Sequence, residues 1–167
     1  NNTTNTEIIL GSNNQHFYLK NGDYILKKNL QNVLIESFLF KNKAPINDIK
    51  LVINNNEPVL VSRGGGMVWG VKNDTFKRVD QSYNHKMTNG SAVFVHNDTI
   101  MKFGGYGYWS SRNFFTYYDE ITLQWEFYTI NEKSVLPPGV SSFNSTYLDG
   151  EFYFSDGQVS RPNTPLL

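Results

Sequence analysis

The chain contains no cysteine, and that one absence removes disulfide staples, thiolate metal sites and cysteine nucleophiles together. Charge is also sparse: 18% of the 167 residues are Asp, Glu, Lys or Arg, and 15 basic side chains balance 15 acidic ones. A formal net charge of zero leaves no basic surface to neutralise phosphates, so nucleic acid is not an expected partner. No run approaches the roughly 20 consecutive apolar residues that a membrane-crossing helix needs. Metal-like histidine spacing is missing too, since His16, His85 and His96 lie far apart, and His96, beside a turn, is expected to be solvent-exposed.

What is present is aromatic side chain, 15% of the total, arranged in short apolar or alternating runs with Val, Ile and Leu. Clusters of Asn, Gly and Asp bound these runs, which is the pattern of strands joined by tight turns. Residues 29–40, with Val33, Leu34, Ile35 and Phe38, can be read at the helical period. Their Asn-rich flanks in an otherwise β chain favour a strand. The polar start, 1–6, reads as a frayed tail. The length suits one domain with a real core.

Turn punctuation then organises the strands. Residues 90–103 make two strands joined at Asn97-Asp98, where short polar side chains tolerate positive φ, and Gly104-Gly105 ends the second. Residues 114–119 and 123–128, the latter with Trp125, supply a third and a fourth strand. Upstream, 48–53 and 58–62 flank Asn54-Asn55-Asn56, followed by Gly64-Gly65-Gly66 and strands at 67–71 and 76–80. Downstream, 142–148 and 151–154 flank Asp149-Gly150, followed by Asp156-Gly157. The glycine positions recur at spacings of about forty and about fifty residues, the range of propeller repeats.

An apolar strand ending in a double glycine, then an aromatic, then a tryptophan resembles the kelch repeat, here as Phe103-Gly104-Gly105, Tyr117 or Tyr118, and Trp125. The likeness is close over 90–128, partial over 48–80, where no Trp stands at the expected place after the glycines, and reduced to a first half over 142–157. The resemblance implies an all-β propeller of four-stranded antiparallel blades. About three to four blades fall in this chain, at 7–40, 48–80, 90–130 and 140–167, as part of a larger propeller or one closed by self-association. In such blades the glycines let backbones pass closely and the large aromatics fill the wedge between sheets, so Gly104, Gly105, Tyr117 and Trp125 are expected to be scaffold.

Candidate site residues lie on the connections. Tyr106, Tyr108, Trp109 and Arg112 follow the double glycine and combine stacking platforms with a forked donor, a chemistry suited to sugars, peptides or carboxylates. The bland alternative is that Tyr108 and Trp109 pack on the next blade. Arg63, beside Gly64-Gly65-Gly66, holds the equivalent place one blade earlier and could meet an anion, although the repeat explains those glycines without a ligand. Tyr83 and His85 stand on the connection between blades, where a histidine is more often simply solvated. Asp119 and Glu120 read as turn residues, and no nucleophile elbow or phosphate-loop pattern occurs.

The expectation is a non-catalytic recognition or scaffold module that binds a glycan, peptide or protein through these connections, with no cofactor, in an extracytoplasmic or secreted setting. The alternative implied by the resemblance is a kelch-fold sugar isomerase acting on sialic acid. A copper radical oxidase of that fold is excluded in its usual form, because its cofactor needs a Tyr–Cys crosslink and the chain has no cysteine.

Overall fold

A computed structural model describes residues 7–42, 46–83, 87–130, 136–142, 144–148, 150–155 and 158–159. The positions 1–6 and His85 lie outside these residues. The chain divides into two compact units, Asn1–Ser62 with Met67–Gln81, and Arg63–Gly66 with Ser82–Leu167.

The first unit holds two four-stranded antiparallel meanders. One runs β1 (Ile8–Ser12), β2 (His16–Asn21), β3 (Tyr24–Asn29) and β4 (Leu34–Leu39), each strand bonded to the next. The ambiguous segment is thus a strand, with Phe38 buried and Leu34 and Ile35 exposed. After a single 3₁₀ turn the second meander follows as β5 (Ile49–Asn54), β6 (Glu57–Ser62), β7 (Val68–Val71) and β8 (Phe76–Arg78). The two sheets share one core: Leu10, Tyr18, Ile25, Phe38 and Phe40 meet Ile49, Leu51, Leu60, Trp69 and Phe76. Phe40 packs edge-on against Trp69 at 5.6 Å and against Phe76 at 6.0 Å, the preferred geometry for ring quadrupoles. Their first strands pass so closely that a Cβ on Gly11 would sit 2.3 Å from the Leu51 carbonyl oxygen. At that position only glycine fits.

The second unit has one complete sheet, in the order β14 (Gln124–Tyr128), β13 (Phe115–Asp119), β10 (Thr99–Phe103), β9 (Ala92–His96). Between β10 and β13 the chain makes an excursion, β11 (Tyr106–Gly107) and β12 (Ser110–Ser111), which pair with each other, with a single bridge from Tyr106 to Asn89. Two further pairs follow: β15 (Val140–Ser141) with β18 (Gln158–Val159), and the hairpin β16 (Asn144–Leu148) with β17 (Glu151–Ser155). Ala92, Phe94, Met101, Phe103 and Val140 form the core of this unit, with Phe115, Tyr117, Tyr147 and Phe152 packed on it. Phe94 stacks on Tyr147 at 5.2 Å and on Phe152 at 4.9 Å, joining β9 to the β16–β17 hairpin. His96, expected in solvent, is instead part-buried with its ring against Tyr147 and the Tyr147 hydroxyl on Nδ1. Long-range packing, invisible in the local sequence, decides its place.

The two aromatics of β13 divide by the strand's alternation: Tyr117 joins the core, and Tyr118 is buried on the opposite face. There Trp125 lies 5.6 Å from the Tyr118 ring and beneath the buried Lys102, whose ammonium is 4.1 Å from the indole centroid. The indole Nε1 donates to the Gly66 carbonyl at 2.6 Å. Trp125 is part-buried rather than sealed, and acts through a hydrogen bond and a cation contact as much as through its area.

Candidate binding site

The site is built on glycine. Gly104 and Gly105 leave β10 with φ of 70° and 96°, a conformation that side chains other than glycine, Asn or Asp seldom adopt. A Cβ on Gly105 would meet the Thr88 carbonyl oxygen at 2.4 Å, one on Gly107 the Met87 oxygen at 2.4 Å, and one on Gly139 the Ser111 oxygen at 2.4 Å. Without side chains at these points, three connections lie against one another and bond through their backbones. Asn89 and Tyr106 exchange N–H···O bonds of 3.0 and 2.8 Å, Gly105 donates to Val140 at 2.8 Å, and Arg112 donates to Gly105 at 2.7 Å. Val140 in turn donates to Arg112 at 3.1 Å.

On this platform stands the hairpin 106–111. Tyr106 pairs with Ser111 and Gly107 with Ser110, leaving Tyr108 and Trp109 as a two-residue turn. Their φ values are 48° and 68°, the doubly left-handed turn that hairpins favour but that asks for Asn, Asp or Gly. The chain obeys that preference elsewhere: Asn55-Asn56 turns β5 into β6, and Asn97-Asp98 turns β9 into β10. Two bulky aromatics in this conformation carry strain of order 1–3 kcal/mol each. They gain no packing in return, because Trp109 is 92% exposed and Tyr108 71% exposed. The packing alternative for these two side chains therefore finds no burial to support it.

Arg112 follows the hairpin with its guanidinium carbon 5.8 Å from the Tyr108 ring centroid and its Nε enclosed without an acceptor. Tyr106 is half-exposed at the base of the turn. These four residues are brought together by the local fold. Arg63 reaches the same platform in a different role. Its Nε donates to the Ser91 carbonyl at 2.6 Å and its Nη2 to the Gly90 carbonyl at 2.9 Å, while its own carbonyl accepts the Thr88 and Ser91 hydroxyls. A guanidinium so engaged acts as a tie between connections, and Gly64, Gly65 and Gly66 beside it are buried. Tyr83 is 85% exposed, with no ring contact or hydrogen bond to the other candidates among the described residues. Residues the sequence reading missed are Gly107 and Gly139, whose tight approaches support the hairpin; the available signals were an isolated glycine inside an aromatic run for Gly107 and the Pro137-Pro138-Gly139 turn pattern for Gly139.

No protein-family model matches the chain, and no curated protein matches it significantly. What the structure establishes is an all-β chain with several four-stranded antiparallel sheets.

Proposed function

We propose that this chain is a non-catalytic recognition module, a run of kelch-type propeller blades that presents the 106–111 hairpin to a glycan, peptide or protein ligand. Support for the blade reading comes from each unit separately. In the first, β1 neighbours β5; in the second, β9 neighbours β16. First strand against first strand is how consecutive blades meet about an axis. The observation that carries the binding reading is the Tyr108-Trp109 turn: a backbone that costs strain for aromatics, in a chain that uses Asn and Asp at its equivalent turns, with both rings left in solvent. Local rules are broken where function requires it. Exposed aromatics beside an arginine are also the residue types enriched at binding hot spots.

The test is the double variant Trp109→Ala, Arg112→Ala, assayed against glycan and peptide arrays beside the parent. A variant that melts like the parent and loses its array signal is the expected result. An unchanged signal from a folded variant removes the hairpin from consideration, and loss of folding would assign these side chains to packing.

A further inference from the structure

We propose that the hairpin's ligand is a carboxylate-bearing sugar, a uronic acid residue of a glycan, and that Arg112 takes its carboxylate while Tyr108 and Trp109 stack on the sugar rings. This rests on the hairpin being the binding element, and it names what is bound. The first argument is the state of the guanidinium. Arg63 and Arg78 are the other arginines among the described residues, and both are spent: Arg63 on two carbonyls, Arg78 on Asp80 through bonds of 3.0 Å from Nε and Nη2. Among the described residues Arg112 has neither kind of partner: its Nε is enclosed without an acceptor, and the ion pairs there are Lys27–Glu36, Lys28–Glu7 and Arg78–Asp80. A guanidinium is charged at every physiological pH and offers parallel N–H donors that match a carboxylate.

The second argument is preorganisation. The Arg112 N–H and C=O are both pinned, to Gly105 and Val140, so the base of the side chain is fixed before a ligand arrives. Holding a charged donor beside an aromatic face reduces the ordering cost of binding.

The third argument decides between a sugar and a peptide. An extended peptide adds to a free strand edge, and both edges of this hairpin are covered. On the β11 side Tyr106 is bonded in both directions to Asn89, and on the β12 side Gly139 lies so close that a Cβ on it would clash with the Ser111 carbonyl oxygen. What the hairpin leaves available is ring faces, and the C–H faces of a pyranose stack on such surfaces without needing a backbone partner.

Calorimetric titration of the whole chain tests this with oligosaccharides of galacturonate, glucuronate and mannuronate, each beside its methyl ester, which keeps the ring faces and removes the charge. The expected result is that at least one acid binds about ten-fold or more tightly than its ester, with an affinity that falls as salt is added. Arg112→Gln should erase that preference by weakening the acid far more than the ester, whereas Trp109→Ala should weaken acid and ester alike. Arg112→Lys, which keeps the charge and loses the fork, should fall between parent and Arg112→Gln, and it reads the same point if Arg112→Gln does not fold. Equal binding of acid and ester would overturn the carboxylate assignment and leave the hairpin reading standing. Tighter binding of polyglutamate than of any uronate would overturn the sugar. Silence across the whole panel would overturn the proposal, and silence on the glycan and peptide arrays as well would overturn the hairpin reading beneath it.

Discussion

Two turns in this molecule share a backbone and differ in everything else. Asn55-Asn56, between β5 and β6, and Tyr108-Trp109, between β11 and β12, both place two consecutive residues at positive φ. At the first, short polar side chains suit the conformation, and the strands it joins carry Leu51 and Leu60 into a closed core. At the second, two large rings occupy the same conformation and contribute nothing to a core. The difference separates stability from presentation: a turn chosen for folding is filled by what the backbone prefers, and under the proposed binding role the second turn is filled instead by what contact would require.

The sharpest way to separate the two regions is through their tryptophans. Trp69 is buried at the centre of the first unit's core, against Phe40, so Trp69→Ala should cost about 3–5 kcal/mol in chemical denaturation. Trp109→Ala removes a side chain with no burial to lose and should change stability by less than about 0.5 kcal/mol. Similar costs for the two would mean that the exposed ring packs in solution, and the contrast drawn from the turns would fail.

A smaller effect of opposite sign comes from giving the strained turn the side chains its backbone favours. The double variant Tyr108→Asn, Trp109→Gly should raise stability by about 1–3 kcal/mol, because an Asn-Gly pair adopts this turn without the strain that the aromatics carry. The same variant should bind nothing on the arrays. The reverse exchange, Asn55→Tyr with Asn56→Trp, should destabilise by a similar amount. Stabilisation together with lost binding would tie the strain to function, and a destabilised Asn-Gly variant would refute the strain.

These positions also show how far local sequence reaches. The hairpins at Asn55-Asn56 and Asn97-Asp98 and the four-stranded grouping of β9, β10, β13 and β14 are legible, because turn residues and alternating apolar runs are local signals. The candidates Tyr106, Tyr108, Trp109 and Arg112 are legible as a cluster of residue types, but not as a hairpin. Residues 106–113 read as a loop because no turn-forming residue marks the Tyr108-Trp109 reversal. The tie made by Arg63, the burial of His96 against Tyr147 and the approach of Gly107 to Met87 depend on segments about 20 to 50 residues apart or on backbone packing, which spacing alone does not encode.

The smallest expected effect concerns a turn that obeys the rules with a charged residue. Asp119 ends β13, and its carboxylate accepts the Ile121 N–H at 2.8 Å and the Thr122 N–H at 3.4 Å. The bond from Ile121 contributes most to holding the carboxyl below its ordinary range, since a charged acceptor is favoured by donors aimed at it. A carboxyl whose folded pKa is depressed contributes stability above its unfolded value, near 3.9, and that contribution is lost as the pH falls through the folded value. Asp119→Asn keeps an oxygen acceptor for the same N–H groups and removes the titration. The parent should therefore exceed the variant by a small constant margin above about pH 5, and the two should converge as the pH falls below about 3. Because Asp119 stands at a surface turn and is only partly buried, the margin belongs with other surface electrostatic effects and should shrink in high salt. Thermal melts of both proteins at a series of pH values would measure it. A margin that stayed constant down to low pH would show that the turn depends on the oxygen's position and not on its charge, and would place this turn with the neutral Asn55-Asn56 as one held by side-chain shape alone.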